Sequence, residues 1–463
     1  MHASAPWRNR SPGDLDLELP EIAPTDVPPV LEAAAAAARS WARTPLPDRL
    51  AALERAQTLL EAQLEPLARG IAVETGKPLQ EALGEVRAVV AKCALTAADA
   101  RAHLTARAVD DGPHPAWVFQ RARGPAAVIG PFNFPLHLAH GALVAHLLAG
   151  NPVVFKPSPL AAGVAARYAE LMAGCFPEGV FGLVQGGAQE AGILCRDPRI
   201  RAIAFTGSVA VGRELARAVA EDFSKELALE LGGRNAAIVC RDADLSRAAA
   251  LIAQAVTLTC GQRCNATSWV LVEKAVADPF CELLAGALRE IVPGDPLLPE
   301  TRLGPLIHAG ALARYEALIG EDGDWALPGK VWATVDGKRG YYVGAALRRG
   351  VAALQNEPFA PVVDVEAVED LRSAVERHNQ SPYGLSVSVF TRSQALFWQL
   401  AEELQAGNIT ANLPTTLSPS TLPFGGWGLS GNGRPGGRGF VRFTTQEQAL
   451  QIAADSFDGE PRL

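Results

Sequence analysis

Three residue types that together support covalent chemistry on a carbonyl group occur at separate points of the chain. Cys264 ends the segment TLTCGQRC, Glu230 begins ELGG, and Asn133 lies within GPFNFP. A thiolate can act as a nucleophile, a carboxylate as a general base for water, and an amide as a donor to an oxyanion. Arg263 and the Gly261 turn are compatible with a lowered thiol pKa. Each residue alone also fits a structural role: a buried cysteine, a surface glutamate or a turn asparagine.

Other segments carry residue types suited to an anionic ligand such as phosphate. FKPSP ends an apolar strand with Lys156, and FTGSVAVG leaves another strand and enters a helix. Gly207 and Gly212 permit close packing there, and the helix N-terminus can receive a phosphate. This spacing is not the G-x-G-x-x-G fingerprint, so it is a weak signal alone. NEPFAP carries Glu357 and Phe359, and LPFGGWGLSGNGRPGG is a glycine-rich loop near the end of the chain.

The pattern of apolar residues predicts the elements that would position these side chains. Residues 31–105 show helical spacing, with 47–76 predicted as one helix. From residue 125 onward short apolar strands alternate with helices, and a second such run begins near Asn235. This alternation is typical of a parallel, doubly wound sheet. The predicted strands are 117–124, 126–130, 152–156, 179–187, 202–207, 226–233, 236–240, 268–274, 360–368 and 385–390, and the predicted helices beyond residue 125 are 137–149, 160–174, 210–222 and 276–291.

Composition limits the classes of protein to which the chain can belong. Its 463 residues suggest about three domains, and 48% hydrophobic with 20% charged residues is ordinary globular composition. A net charge of −8 without a long basic run argues against nucleic-acid binding. Seven scattered cysteines without a C-x-x-C pair favour a cytoplasmic protein with reduced thiols. No stretch suits a signal peptide or a membrane span, so we expect neither.

Three histidines fall on one predicted helix, but their spacing is poor for a metal. His137 and His140 can share a helix face, whereas His146 lies about a turn and a half further on. A zinc site would need better spacing and nearby carboxylates. We therefore expect no metal.

The order and spacing of the motifs are more specific than any motif alone. Together PFNFP, FKPS, FTGS-x-x-x-G, ELGG, GQRC, E-x-F-x-P and PFGG resemble the NAD(P)-dependent aldehyde dehydrogenase superfamily over about residues 25–450. Glu230 and Cys264 are 34 residues apart (264 − 230), the separation that this superfamily uses. The resemblance implies an enzyme that oxidises a small-molecule aldehyde to a carboxylic acid.

The resemblance implies a role for each matched residue. Cys264 matches the nucleophile, Glu230 the general base of deacylation, and Asn133 the oxyanion amide, which the Cys264 backbone N–H assists. The residues implied in binding the nicotinamide cofactor are Phe132, Lys156, Ser158, Gly187, Gly207, Ser208, Val211, Gly212, Leu231, Gly232, Glu357 and Phe359.

The resemblance also implies an α/β fold with a Rossmann-type cofactor domain, an α/β catalytic domain and a small β bridging element. The cofactor-binding domain would comprise residues 1–103 and 123–232, and the catalytic domain residues 233–439. Residues 104–122 and 440–463 would form the bridging element. An element that exchanges strands in this way implies a homodimer or a homotetramer.

A narrower similarity concerns the substrate. TGKPLQEALGEVRAVVAK, LVQGG and NLPTTLSPSTLPFGGWGLSGNGRP are similar to the N-succinylglutamate 5-semialdehyde dehydrogenase branch, which acts in bacterial arginine degradation. Substrate carboxylates need arginine or hydroxyl donors. The candidates by position are Arg263, Thr415, Thr416 and Ser418.

Several alternatives remain open at this point. Another semialdehyde, of glutamate or succinate, is the main rival substrate. A CoA-acylating relative would generally lack the deacylation base that Glu230 matches. A catalytically silent scaffold on the same fold is a further alternative, although Cys264 and Glu230 are both present.

Three departures from the superfamily pattern affect these expectations. Pro159 stands where NAD-preferring members usually have a glutamate, so an acceptor for the ribose hydroxyls and a charge that repels a 2′-phosphate are both missing. NAD is the expected cofactor, with NADP as the alternative for this reason. Pro358 and Ala360 alter the loop around Phe359, and residues 315–350 are short for the superfamily.

Overall fold

A computed structural model describes residues 6–109, 114–350 and 357–453. The amino-terminal part consists of a β-hairpin, four helices and two further strands. These are β1 (Arg10–Ser11), β2 (Asp14–Glu18), α1 (Val27–Arg43), α2 (Leu46–Ala62), α3 (Leu64–Thr75), α4 (Leu79–His103), β3 (Arg107–Val109) and β4 (Ala116–Ala122).

The predicted helical region is confirmed, but the prediction of one helix over 47–76 is wrong. Helix α2 ends at Ala62 and α3 begins at Leu64. Pro66 lies in the first turn of α3, where its missing N–H breaks no helical bond; a continuous helix would have lost the bond to the Ala62 carbonyl. Helix α3 ends at Thr75, and the following Gly76 has a φ of 72°, the left-handed conformation that glycine adopts readily.

A six-stranded sheet follows, in the order β22-β9-β8-β5-β6-β7. Its strands from β5 to β9 are mutually parallel, as predicted, and β22 joins the edge antiparallel to β9. The elements of this region are β5 (Ala126–Ile129), α5 (His137–Leu148), β6 (Val153–Lys156), α6 (Ala162–Ala173), β7 (Phe181–Leu183), α7 (Ala188–Arg196), β8 (Ala202–Gly207), α8 (Val209–Val219) and β9 (Glu226–Leu231), with a 3-10 turn at Pro159–Ala161; β22 is Gly431–Asn432.

Alternate residues of these strands enter two separate cores. Val128 and Phe155 pack with residues of α2 to α6, whereas Ala127 and Val154 pack with residues of α1, α7 and α8. A sheet covered on both faces needs strands that are apolar throughout, and β5 and β6 are fully buried. This burial confirms the doubly wound arrangement predicted from the continuous apolar runs.

The second sheet has seven strands in the order β12-β15-β16-β11-β10-β18-β19, parallel except for β12. The elements are β10 (Asn235–Val239), α9 (Leu245–Thr257), β11 (Thr267–Glu273), α10 (Ala277–Arg289), α11 (Ala309–Ile319), β12 (Asp324–Leu327), β13 (Val331–Val335), β14 (Lys338–Val343), β15 (Ala346–Arg349), β16 (Val362–Val368), α12 (Leu371–Asn379), β17 (Tyr383–Gly384), β18 (Ser386–Phe390), α13 (Gln394–Glu403) and β19 (Asn408–Ala411), with 3-10 turns at Leu258–Gly261 and Lys274–Val276.

The carboxyl-terminal segment adds short strands to several parts of the molecule. They are β20 (Pro423–Phe424), β21 (Trp427–Gly428), β22 (given above), β23 (Gly436–Gly437) and β24 (Thr445–Gln451), with a 3-10 turn at Phe440–Thr444. Strand β24 pairs antiparallel with β4, which also pairs with β3. The two segments assigned to the bridging element therefore supply one three-stranded sheet, although 110–113 and 454–463 lie outside the described residues.

None of the helices in the described ranges has both the length and the apolar character of a membrane span.

Candidate active site

Cys264 follows a sharply turned segment between α9 and β11. Thr259 and Cys260 in this segment have φ values of 53° and 55°. Gly261 follows with φ of 68°, and a Cβ atom there would lie 2.3 Å from the carbonyl carbon of Ala360. Only glycine fits at this position, so the turn packs directly against the chain that leads into β16.

The electrostatic surroundings of Cys264 favour the neutral thiol. Of the seven cysteines, all free and all described, six are buried and Cys264 is partly exposed. Burial raises the pKa of Cys264 well above its usual value, and the carboxylates of Glu230 and Glu357 raise it further. Arg263 lowers this pKa, as the sequence indicated, but burial outweighs it, so the expectation of a lowered thiol pKa is wrong for this state.

Glu230 is a carboxylate held in a dry environment. It belongs to β9 and is only 1% exposed, and within the described part of the chain neither carboxylate oxygen has a hydrogen-bond partner. Burial raises its pKa to about 8, with Arg434 acting in the opposite direction. Such a pKa is close to the working pH of a general base. Because Glu230 lies in the six-stranded sheet and Cys264 immediately precedes β11, the site forms where the two sheets meet.

Strand β22 covers the backbone beside Glu230. Gly431 pairs with Glu230 across the two strands. Its φ is 132°, and a Cβ atom there would lie 2.1 Å from the carbonyl oxygen of Leu229. A side chain would therefore separate β22 from β9 and let water reach the carboxylate.

Asn133 lies in the loop after β5 and is buried. Its side-chain Nδ2 donates to the carbonyl oxygen of Gln262, at 2.8 Å, and its Oδ1 accepts from the backbone N–H of Phe134, at 3.1 Å. One amide hydrogen is thus used to fix the side chain next to the Cys264 segment. The second hydrogen of Nδ2 remains for an oxyanion.

A buried ion pair anchors the other end of this loop. The Glu85 carboxylate accepts from the backbone N–H groups of Leu136, at 3.1 Å, and His137, at 3.2 Å. Lys77 is its ion-pair partner, and both side chains are fully buried. The anionic Glu85 also suits the N-terminus of α5. The loop that carries Asn133 is therefore held at both ends.

Four of the residues predicted to bind the cofactor lie together beside Cys264. The backbone N–H of Gly233 donates to Oε1 of Glu357, at 3.3 Å, and a Cβ atom on Gly232 would lie 2.0 Å from its Oε2. Burial raises the pKa of Glu357 to about 8. Phe359, with φ of 47°, stacks edge-on against Phe132, with 6.0 Å between ring centroids.

Lys156 ends β6 as a buried cation that donates to a backbone carbonyl. Its Nζ donates to the carbonyl oxygen of Pro157, at 2.9 Å, and burial lowers its pKa to about 8, with Glu190 acting in the opposite direction. Ser158 Oγ accepts from the backbone N–H of Leu160, at 3.3 Å, and caps the 3-10 turn.

Two further predicted positions lie at the ends of short helices. Pro159 begins the 3-10 turn, and its carbonyl oxygen accepts from Nδ2 of Asn9, at 2.6 Å. Gly187 caps α7, where its backbone N–H donates to Oε2 of Glu190, at 2.7 Å.

The start of α8 forms an open cradle. Ser208 caps this helix by accepting from the backbone N–H of Val211, whose side chain is exposed. Gly212 faces Leu231, because a Cβ atom there would lie 2.8 Å from Leu231 Cδ2. Gly207 ends β8 just before the cap. The helix can lie this close to β9 only with glycine at 212, and its first N–H groups are available to an anion.

A cavity of about 390 Å³ extends from Cys264. Helix α4, the start of α5 and the loops around 416–420 and 435–437 form its walls. Arg263, Thr416 and Ser418, all predicted to contact the substrate, line it.

The structure places the remaining predicted substrate residue differently. Thr415 is buried and absent from the cavity lining, and its Oγ1 lies 2.8 Å from Oγ1 of Thr267. Arg263 lines the cavity but is already paired: its Nη2 lies 2.6 Å from Glu81 Oε2, and its Nε donates to Thr259 Oγ1, at 2.9 Å. Thr415 therefore does not reach the cavity, and the Arg263 guanidinium already has a carboxylate partner.

Several residues at the site escaped prediction from the sequence. Glu81, Glu85 and Lys92 line the cavity from one face of α4, and Gln262 supplies the carbonyl that holds Asn133. The sequence signal that could have found the three charged residues is their spacing within TGKPLQEALGEVRAVVAK. Glu81 and Glu85 are four residues apart and Glu85 and Lys92 are seven apart, which places all three on one helix face.

The three histidines have local partners. His140 lies between Cys93 Sγ, at 3.3 Å, and the Tyr168 hydroxyl, at 2.7 Å. His137 Nε2 lies 3.4 Å from Ser420 Oγ. Among residues 6–109, 114–350 and 357–453, no group of three His, Cys, Asp or Glu side chains is arranged to hold a metal ion.

A partly exposed thiol, a buried carboxylate and a buried amide come together at the junction of the two sheets. The chain belongs to the aldehyde dehydrogenase family, whose sequence model matches residues 4–450. It is therefore an oxidoreductase that acts on aldehydes.

Similar proteins extend this assignment. The chain is 38% identical to N-succinylglutamate 5-semialdehyde dehydrogenase 1 of Caulobacter vibrioides, over 87% of this chain and 86% of that protein. It is 37% identical to N-succinylglutamate 5-semialdehyde dehydrogenase of Serratia proteamaculans, over 89% of this chain and 85% of that protein. The crystal structure of NAD-dependent aldehyde dehydrogenase from Sinorhizobium meliloti superposes with a TM-score of 0.91 at 29% identity, covering 99% of this chain and 93% of that one.

Proposed function

We propose that this enzyme oxidises N-succinylglutamate 5-semialdehyde to N-succinylglutamate in arginine degradation, through a covalent intermediate on Cys264. The observation that carries the mechanism is the Cys264 thiol, which lines the cavity and lies near enough to the buried Glu230 carboxylate for that charge to raise its pKa. The substrate rests on the names of the two relatives, both of which align over more than four fifths of this chain.

The first half of the reaction uses Cys264 and Asn133. The Cys264 thiol loses its proton to solvent in the cavity that it lines. The sulfur then bonds to the aldehyde carbon, and the carbonyl oxygen becomes an oxyanion that accepts from Asn133 Nδ2 and the Cys264 backbone N–H. A nicotinamide cofactor, when bound, would supply the oxidant as a hydride acceptor, and loss of hydride from this carbon would leave a thioester on Cys264.

The second half of the reaction uses Glu230. Its carboxylate removes a proton from water, the resulting hydroxide attacks the thioester carbon, and the Cys264 thiolate leaves with the carboxylic acid as product. The unpaired oxygens of Glu230 support this role, because a carboxylate already bonded to donors would be a weaker base.

The residues present suit a dinucleotide. The buried Lys156 ammonium, which donates to a backbone carbonyl, would hold a ribose, and the open start of α8 would hold the pyrophosphate. Glu357 and Phe359 would position the nicotinamide ribose and ring beside Cys264. NAD is the proposed cofactor. NADP is the alternative, because Pro159 places neither an acceptor nor a negative charge at the adenosine ribose.

The assembly and domain division are part of the same proposal. Strand β24 is an exposed edge of the three-stranded sheet, and an edge with unpaired backbone groups favours pairing with another subunit. We infer a homodimer or homotetramer built through this bridging element. The proposed boundary at residue 232 falls between β9 and β10, which lie in different sheets.

The test is steady-state formation of reduced cofactor from three aldehydes, each with NAD and with NADP. We expect N-succinylglutamate 5-semialdehyde to give a kcat/KM at least tenfold above those of glutamate and succinate semialdehyde. A higher value for either rival would replace the proposed substrate. Cys264→Ala should abolish turnover of all three, and retained turnover would refute the covalent mechanism.

A further inference from the structure

Helix α4 lines the cavity along much of its length. Glu81, Glu85, Ala88 and Lys92 all contribute to the wall. At about 1.5 Å of rise per residue, Glu81 and Lys92 are separated by roughly 16 Å along the helix axis. Because Glu81 is bonded to Arg263, the neighbour of Cys264, Lys92 lies towards the end of the cavity remote from the thiol.

Lys92 is the cation at this wall without a carboxylate partner. Arg263 is paired with Glu81, and Glu85 is paired with Lys77. Lys92 is 4% exposed, and no hydrogen bond or ion pair joins its Nζ to any of the described residues, although Asp99 attracts it electrostatically. An ammonium in such surroundings is costly unless a counter-charge arrives.

The other charged and titratable groups near Lys92 do not take the place of a counter-charge for its ammonium. Burial lowers the pKa of Lys92 to about 8, with Asp99 acting in the opposite direction, so most of the ammonium remains charged at neutral pH. Asp99 itself accepts from the backbone N–H of Gly439, at 2.8 Å. Burial lowers the pKa of His137 to about 3, so its ring is neutral.

The packing around Lys92 keeps its ammonium at the cavity wall. A Cβ atom on Gly141 of α5 would lie 3.0 Å from Lys92 Cε and 3.4 Å from its Nζ. The absence of a side chain at 141 therefore leaves the space that the lysine occupies. Ser418 and Ser420 line the same cavity and offer hydroxyl donors to an anion held there.

We propose that Lys92 is the carboxylate-binding residue that selects aldehydes carrying an acidic group at the far end from the carbonyl. This inference rests on the proposed function in that the substrate is an acidic semialdehyde. An extended N-succinylglutamate semialdehyde places its terminal carboxylate about 10 Å from the aldehyde carbon, which is shorter than the roughly 16 Å of α4 between Glu81 and Lys92. An ammonium meets that carboxylate as a compact point charge.

The experiment compares Lys92→Met and Lys92→Arg with the wild-type enzyme on N-succinylglutamate semialdehyde and on uncharged hexanal. In Lys92→Met the ratio of the two kcat/KM values should fall roughly 10- to 100-fold, mainly through KM, because a charge-assisted hydrogen bond is lost. Lys92→Arg keeps the positive charge, so its ratio of kcat/KM values should stay close to that of the wild type. Lys274→Met, which alters an exposed lysine paired with Glu369, is the matched control and should leave the ratio unchanged.

A binding measurement separates recognition from folding. N-succinylglutamate, the product, should raise the thermal midpoint of the wild type and of Lys92→Arg but not of Lys92→Met. Equal protection of all three variants, or an unchanged ratio in Lys92→Met, would overturn the proposal.

The same variants distinguish this proposal from the proposed substrate. If the wild type does not oxidise N-succinylglutamate semialdehyde, that substrate is refuted, and the test of Lys92 passes to 9-oxononanoate against nonanal, since its eight-bond chain also places a carboxylate about 10 Å from the aldehyde carbon. A loss of discrimination in Lys92→Met then supports the lysine, and an unchanged ratio refutes it.

Discussion

Replacing Glu230 by glutamine tests whether burial of this proposed base lowers the free energy of unfolding at high pH. Burial raises the pKa of Glu230 from 4.5 to about 8, which corresponds to roughly 5 kcal/mol of free energy for ionising the carboxyl group in the folded protein. The folded state therefore binds this proton more tightly than the unfolded state. Stability from this group is complete below pH 4.5 and is lost as the pH rises to about 8.

Glu230→Gln cannot ionise, so it avoids this loss. The free energy of unfolding, measured with urea at a series of pH values, should increase in the variant relative to the wild type by roughly 4 kcal/mol between pH 5 and pH 9. Asp370→Asn is the matched control, since the Asp370 side chain caps α12 and its pKa lies below 3.8. The difference in free energy of unfolding between Asp370→Asn and the wild type should be constant over the same pH range.

The kinetic readout separates the two halves of the reaction. Glu230→Gln should still release a burst of reduced cofactor, while steady-state turnover falls at least about 100-fold, because loss of a general base costs that much. If the difference in free energy of unfolding between Glu230→Gln and the wild type does not change with pH, then folding does not raise the pKa of Glu230. Loss of the burst in the same proportion as turnover would contradict a role confined to deacylation.

Three further perturbations test other parts of the site. Asn133→Ala should lower kcat/KM roughly 100- to 1,000-fold while Cys264 remains alkylated at the wild-type rate, because one oxyanion donor is lost. Pro159→Glu should shift preference from NADP towards NAD by at least about tenfold in kcat/KM, because a carboxylate repels a 2′-phosphate. Glu357→Gln should lower the pKa of Cys264, since Glu357 raises it. The pH midpoint of iodoacetamide alkylation should therefore fall by roughly one pH unit.

Each of these predictions has a contrary outcome. An Asn133→Ala enzyme within tenfold of wild-type kcat/KM would remove that residue from the oxyanion site. Pro159→Ala, which deletes the proline without adding charge, should leave the NAD-to-NADP ratio nearly unchanged; an equal shift in both variants would attribute the effect to backbone conformation. A higher alkylation midpoint in Glu357→Gln would reverse the sign of the electrostatic argument.

The sequence predicted those features that depend on local pattern. Continuous apolar runs such as PVVFK gave strands buried on both faces, and β6 is one of them. The alternation of strands with helices predicted a parallel sheet, because such strands need a helical crossover. The approach of Cys264 to Glu230 followed from motif order and spacing rather than from any single residue.

The remaining features depend on contacts across long stretches of chain. Arg263 is engaged by Glu81, 182 residues earlier, so its availability to a substrate cannot be deduced from position. Thr259 and Cys260 adopt positive φ without being glycine, which no local preference favours. The raised pKa of Cys264 likewise arises from burial and from the distant carboxylates of Glu230 and Glu357, which outweigh the adjacent Arg263.

Strand β22 links the activity of the enzyme to the order in which the chain is synthesised. The five parallel strands of the first sheet are complete at Leu231, and the thiol of Cys264 follows soon afterwards. The edge strand beside Glu230 comes about 200 residues later, where Asn432 Oδ1 accepts from the backbone N–H of Leu229. Domains fold as they emerge, so a nascent chain holds its thiol well before its base is sheltered. We therefore expect the proposed water-dependent step to begin only after this last segment has docked.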